Sequence, residues 1–500
     1  MLRSLKESFK HTSIYTIGNL ANKAVGFIMI PIYTHFLAPR EYGIMDMLDL
    51  SIVLVGMLVG MGMGSAVFRF YYAAKDEREQ SEIIGTALLF GTLAAGAVGL
   101  GVAFFARQAS SLIFRAPDYA YYLQVAILSF WVGSVGETCK TYLRVRQRST
   151  FFVVASLGQL ILGLGLNIYF IVVLRMGVLG FLYSSLLSNL TASVVLLAQT
   201  VSEVGFVFST TRMRQMLGYG LPFVFSGIGF FVLNFADRYF LNTFAGLQAV
   251  GIYALGYKFG FMLNVIVVSP FLQMWQAQMF IVEKESNAGE IYVRTFEYFA
   301  ALVIFAVLGM SLFIKDVLRV MAGPEYFSAY RLVPIVALAY VFNGWGQYFR
   351  LGMLLTRKTR PIATIMAGTT VITLALYWAL IRKYHAYGAA WATLLSFGLM
   401  MAWTYIASQR LLPVPYNVRR IAGILAVGAA CYAVGLGVDA LLGPGAVVLG
   451  IALRALLLAA YPVTLIYTGF FASEGIHRLS ELPAGIRRIA RGGGGPERSS

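Results

Sequence analysis

Residues 235–260 read FADRYFLNTFAGLQAVGIYALGYKFG. Asp237, Arg238 and Lys258 stand there in a stretch whose flanks are otherwise apolar. If the stretch crosses a membrane, a charge near its middle costs at least ~2.5 kcal/mol unless it faces protein or water. The rest of the chain indicates that it does cross. Of 500 residues, 59% are hydrophobic and 12% charged, about half the charged share of a soluble domain. Mean hydropathy is +0.75. Apolar runs of about 20 residues recur along the whole length, each sufficient for a bilayer-spanning helix. A closed β-barrel would read as short alternating segments, which the chain lacks. The expected fold is an all-α polytopic membrane protein.

Fourteen spans are expected, at 12–37, 43–66, 83–106, 119–142, 151–174, 178–200, 217–242, 248–280, 293–314, 331–354, 361–381, 387–408, 419–440 and 446–470. The opening stretch reads as the first of them rather than as a cleavable signal. Of the 39 Lys and Arg residues, 26 fall on the side that carries both termini, 9 on the other and 4 within spans. Net charge +17 is then a topology signal, not a nucleic-acid footprint, and it places both termini in the cytoplasm. Loops on the exported side are short, which leaves no room for an outward catalytic domain. Cys139 and Cys431 offer neither a disulfide framework nor metal spacing. No phosphate-binding loop is present, and no cofactor is expected.

Two segments echo each other. HFLAPREYGI aligns with TFAGLQAVGI, matching Gly43 to Gly251 at an offset of 208. RMGVLGFLYSSLLS aligns with KYHAYGAAWATLLS, matching Gly180 to Gly388 at the same offset. APDY at 116 echoes GPEY at 323, and RQRST at 146 echoes TRKTR at 356. One such match would carry nothing, since glycine after a short loop is common. Four in register suggest two six-helix halves in parallel orientation around a central cavity. The expected organisation is 1–210 and 211–412 as the two bundles, 413–472 as two additional helices and 473–500 as a basic cytoplasmic tail.

Charged and amide residues in the apolar zone are candidate cavity residues. Lys23 lies about eleven residues into the first span, ~16 Å deep at 1.5 Å per residue, with Asn19 on its face. Lys258 is similarly deep in the eighth span. Arg238 sits near an outer helix end, with Asn234 one turn away. Asp46, Asp49 and Asp237 could partner these cations or carry a coupling proton. Purely structural pairings are the alternative: Lys23 with Asp46 or Asp237, and Lys258 with Asp237 or Asp49. Glu137 with Lys140 reads as an ion pair on one helix face. Arg69 and Arg350 read equally as cavity residues or positive-inside anchors. GMLVGMGMG places Gly56, Gly60 and Gly64 on one face, an expected close helix contact. Pro31, Pro222, Pro270 and Pro334 are candidate bends.

Gly220-Leu221-Pro222, Asp237-Arg238, Gly251-Ile252-Tyr253 and Tyr257-Lys258 together resemble the second half of the polysaccharide transporter, or oligosaccharide flippase, family. NKAVGFIMIPIYTHFLAPREYGIMDM and FRFYY, with Arg69, resemble its first half. MWQAQMF lacks the proline of that family's usual Trp-x-Pro. The resemblance spans the chain and implies membership of the wider multidrug/oligosaccharidyl-lipid/polysaccharide exporter superfamily. It implies movement of a polyprenyl-pyrophosphate-linked oligosaccharide to the outer leaflet, with Lys23, Arg69, Arg238 and Lys258 attracting its anionic groups. Implied partners are that substrate, membrane lipids, and a glycan polymerase and export proteins; nucleic acid is not among them. The alternatives are a lipid II-type flippase, a drug or organic-cation antiporter with an acidic cavity, and a membrane glycan polymerase or ligase.

Overall fold

The computed structural model describes residues 26–442 and 447–468. Lys23, Asn19 and the basic tail from 473 lie outside them. Every regular element among the described residues is helical. Helix α1 is described over Gly26–Phe36. It is followed by α2 (Pro39–Gly60), α3 (Met63–Ala73), α4 (Glu77–Phe104), α5 (Ala106–Phe114), a 3-10 turn at Pro117–Tyr119, and α6 (Ala120–Val145). Then come α7 (Ser149–Asn167) with a π-helical continuation at Ile168–Val173, α8 (Gly177–Val204), α9 (Thr210–Phe235) and α10 (Asp237–Leu263). A π segment at Asn264–Val268 precedes α11 (Ser269–Val282) and α12 (Ala288–Met321). A 3-10 segment at Pro324–Arg331 precedes α13 (Val333–Tyr348), α14 (Leu351–Leu355) and α15 (Arg360–Leu376). The chain ends with a third π segment at Tyr377–Ile381, α16 (Arg382–Gln409), α17 (Val418–Leu441) and α18 (Val447–Tyr467).

Nine helical runs among the described residues are long and apolar enough to cross a membrane, or ten if the bent pair Pro324–Arg331 and Val333–Leu355 is one span. Two of those runs, Thr210–Val282 and Arg360–Gln409, extend over 73 and 50 residues. Neither can be a single crossing of a ~30 Å core. Both are broken by backbone geometry: Gly246 sits at φ 79°, ψ 174° and His385 at φ 50°, ψ −126°. These breaks fall in the connections expected from sequence between 242 and 248 and between 381 and 387. Pro270 and Pro334 lie in the first turns of α11 and α13. Pro270 follows the π segment within a continuous helical run, Pro334 sits at a 45° bend between the 3-10 segment and α13, and Pro222 lies inside α9.

Helix starts at the polar ends are capped by side chains. Asp76 accepts from the Glu79 amide at 2.8 Å, with Glu77 and Glu79 in the first turn of α4. Ser209 accepts from Arg212 at the start of α9. Such caps satisfy orphan amides and place negative charge at the positive end of the helix dipole.

The chain packs as two compact units. The smaller comprises Val265–Ile314 and the residues from Pro413. It is held by Phe271 stacked on Phe299 at 4.1 Å, Arg420 paired with Glu297 at 3.1 Å, and Arg454 paired with Asp439 at 3.3 Å. The larger comprises the chain up to Asn264 together with Lys315–Leu412. In it α2 and α10 cross in close approach. A Cβ on Gly43 would overlap the Leu247 carbonyl, and one on Gly251 would overlap the Pro39 carbonyl. The contact is reciprocal, and both 39/247 and 43/251 are separated by 208.

Nearly the same offset, 209 or 210, recurs in local geometry elsewhere. Gln147 and Arg357 both have φ near 57°, and the amides of Arg148 and Lys358 close equivalent turns onto Leu143 and Met353, each at 2.9 Å. The π segments at 168 and 377 occupy matching places before Gly180 and Gly388. Gly62, at φ 66°, breaks the expected second span between α2 and α3, and a Cβ there would meet Gly220. Gly56 packs closely against the Phe130 ring of α6, whereas Gly60 and Gly64 meet no neighbour and open onto the cavity described next, so the glycine face closes a helix contact at one position and widens a void at the other two.

Candidate functional site

Two adjoining cavity lobes, of about 530 and 520 Å³, lie in the larger unit and share Asp49, Glu137, Phe181 and Ser185 in their walls. The first is mostly apolar, with Gly56, Gly60, Phe90, Phe130 and Arg144 among its walls. The second is polar, with Lys140, Gln159, Asn167 and Lys258. Among the described lining residues, Lys258 is the one contributed from beyond residue 189. Apart from Lys258, the described walls of the void come from helices between α1 and α8. Its described walls carry two carboxylates, Asp49 and Glu137, and three cations, Lys140, Arg144 and Lys258.

The Glu137–Lys140 pair forms at 2.8 Å, and it also faces the void. Lys140 donates to Gln159 Oε1 at 2.8 Å, Gln159 to Asn189 Oδ1 at 2.8 Å, and Asn189 to Ser129 Oγ at 3.0 Å. Tyr33 donates to Asn167 Oδ1 at 3.2 Å. This row of amides and hydroxyls links α6, α7 and α8 across the cavity wall. A hydrogen-bonded row is what such groups require in a low-dielectric setting, and it leaves spare lone pairs and N–H groups for a polar guest.

Beside the cavity lies a dry ionic knot. Arg238, 3% exposed, donates from Nη1 to Asp237 Oδ1 at 2.8 Å and to the Asn234 carbonyl at 2.9 Å. Its Nε lies 3.5 Å from Asp46 Oδ2 on α2, an ion pair without a formed hydrogen bond. The guanidinium stacks 3.8 Å from the centre of the Tyr257 ring. Tyr253 donates to the other Asp237 oxygen. Tyr257 donates to the Asn234 carbonyl at 2.8 Å, and Tyr340 to its Oδ1 at 3.2 Å. Two carboxylates, one guanidinium and three tyrosines so satisfy most of their polar atoms internally, the condition for keeping such charges buried.

Of the residues expected from sequence, Asn234, Asp237, Arg238 and Asp46 therefore meet in one buried knot. Asp49 opens onto both lobes, and Lys258 lines one of them. Lys258 donates to the Tyr42 hydroxyl at 2.8 Å, with Asp46 and Asp49 near enough to interact electrostatically. Arg69 stands apart: it is exposed, stacked 4.5 Å above Tyr219, and lines neither lobe. The tyrosines and the Gln159–Asn189 row were not singled out from sequence. Amides within LGQLILG and LSNLTAS were their available signal.

The family model for polysaccharide biosynthesis proteins matches residues 8–275, more than half of the chain. The chain belongs to the polysaccharide biosynthesis protein family. Two curated relatives come from Haemophilus influenzae. An "uncharacterized membrane protein" is 25% identical over 262 residues, 52% of this chain and 62% of the relative. "Lsg locus putative protein 1" is 20% identical over 260 residues, 52% of this chain and 63% of the relative. The chain thus spans about three-fifths of the length of these relatives.

Among solved structures, the lipid II flippase MurJ in an inward closed conformation superposes with a TM-score of 0.74 at 11% identity, covering 91% of this chain and 99% of that one. An inward-facing multidrug transporter of the MATE family, from the MOP superfamily, gives 0.62 at 16% identity, covering 81% and 96%. The fold of this polysaccharide biosynthesis protein is therefore that of the MurJ and MATE structures, an all-helical multi-pass membrane fold.

Proposed function

We propose that the protein is a flippase that carries a polyprenyl-pyrophosphate-linked oligosaccharide across the bacterial cytoplasmic membrane by alternating access. The observation that carries this reading is the cavity of one apolar and one polar lobe, with charged groups in its walls, beside a buried ionic knot. A glycan and a pyrophosphate are too polar for hydrocarbon and need a wet passage with cations. The prenyl chain needs none and stays in lipid. Three cations against two carboxylates in the described lining favour anionic cargo over an organic cation.

In this reading the chain has fourteen spans, cytoplasmic termini and two parallel six-helix halves, 1–210 and 211–412, followed by two further helices within 413–472. The reciprocal Gly43–Gly251 crossing and the turns and π segments repeated at offsets of 208–210 support the halves. The α2–α10 crossing and the Asp46–Arg238 pair then close the exported side, and the cavity faces the cytoplasm. Asp46, Asp237 and Arg238 act as a latch between halves, with Asn234 as its anchor. Asp49 and Lys258, with Lys23 and Asn19 from the first span, meet the cargo, and Arg69 sits at its cytoplasmic approach. The cargo comes from membrane glycosyltransferases and passes to a polymerase and export proteins.

The test is reconstitution in liposomes with a fluorescent polyprenyl-pyrophosphate oligosaccharide, with and without a pH gradient. Protein-dependent appearance of the glycan on the opposite leaflet is expected. Transport of organic cations in its place would overturn the reading.

A further inference from the structure

The cations identified first are largely committed: Arg238 to Asp237 and Asp46, Lys140 to Glu137, and Lys258 to Tyr42. Arg144 is different. It lies in the last turn of α6, where a basic residue would ordinarily complement the helix dipole or reach out to headgroups. Instead its guanidinium turns into the first cavity lobe. Nη2 donates to Thr141 Oγ1 at 2.9 Å, and the guanidinium carbon lies 5.7 Å from the Phe68 ring centre and 5.9 Å from that of Phe152. Three helices, α3, α6 and α7, thus supply its described contacts. Its buried Nε has no hydrogen-bond partner, and no carboxylate among the described residues pairs with it. A guanidinium beside a void, near two aromatic rings and with a buried donor left unpaired, retains the capacity for a charge-assisted contact with a phosphate-type anion.

We propose that Arg144 is the seat for the diphosphate group of the cargo when it enters from the cytoplasmic leaflet. The claim rests on the flippase reading and names the residue that reads the headgroup. Free pyrophosphate and a prenyl pyrophosphate share this chemistry, so both serve as probes.

Purified protein in nanodiscs of phosphatidylethanolamine and phosphatidylglycerol would be titrated calorimetrically with farnesyl pyrophosphate, inorganic pyrophosphate and farnesol. Wild type is expected to bind farnesyl pyrophosphate but not farnesol, with inorganic pyrophosphate competing. Arg144→Gln should weaken farnesyl pyrophosphate about tenfold or more and abolish competition by inorganic pyrophosphate. Arg175→Gln, an exposed cation stacked on Phe36, should bind as wild type does. Should Arg144→Gln not fold, as judged by its melting curve, Arg144→Lys decides: it keeps the charge but loses the fork, and a loss of about threefold is expected. Wild-type affinity in the folded Arg144 variant overturns the seat while leaving the flippase reading standing. No pyrophosphate binding by wild type overturns both.

Discussion

Arg238 illustrates how far a buried charge is defined by what surrounds it. Its neighbours include Asp46 from a helix almost 200 residues earlier, so removing the cation leaves two carboxylates in a dry site. Arg238→Ala is expected to cost about 3–5 kcal/mol, read as a large fall in the melting temperature of the detergent-solubilised protein. Asp46→Asn should behave otherwise. Arg238 keeps Asp237 and the Asn234 carbonyl, while the tie to α2 is lost. Spin labels at Arg40→Cys and Gln248→Cys, both exposed, in a background with Cys139 and Cys431 replaced by Ser, should then show a longer distance component that the Asp46 parent lacks. The sequence displayed these charges but not their partners. A helix that is apolar all round gives no face signal, so the choice of Tyr42 for Lys258, over Asp237 or Asp49, had no trace in the spacing. Arg69 gave no sign that its ring partner, Tyr219, would draw it away from the void.

At the scale of elements, the α2–α10 crossing depends on two positions without side chains. Gly43→Ala or Gly251→Ala would drive a methyl into a backbone carbonyl, and overpacking of this kind costs about 1–3 kcal/mol. Because that cost falls on the closed crossing, the same label pair should report opening in either variant. The double variant should open less than the sum of the singles, since the two share one contact. Element boundaries were mostly legible in the sequence. The breaks at Gly246 and His385 and the paired turns after α6 and α14 follow from glycine, loop polarity and the repeated register. The Met61–Gly62 break was not. A glycine-rich helix face reads as a packing surface whether it meets a neighbour or a void, and here the void prevails at Gly60 and Gly64.

For the whole molecule, the functional prediction concerns export. Lys258→Ala is expected to reduce surface polysaccharide severalfold with unchanged membrane levels of the protein, measured by glycan staining against an immunoblot. Lys23→Ala should do the same, and wild-type surface glycan in the double variant would exclude both from the cargo path. The family, the membrane fold and a cationic cavity were readable from composition and a few motifs. Placement of the void among α1–α8 was not, because cavity walls are set by how helices tilt, and hydropathy is silent on tilt.

The crossing of α2 and α10 has one further consequence. Position 39 meets 251 while 43 meets 247, which is the geometry of a self-complementary interface between identical partners. A polypeptide of half this length could form it with a second copy of itself. Carrying both segments on one chain lets the surroundings of the crossing differ on its two sides, and the polar row of α6, α7 and α8 belongs to one side alone.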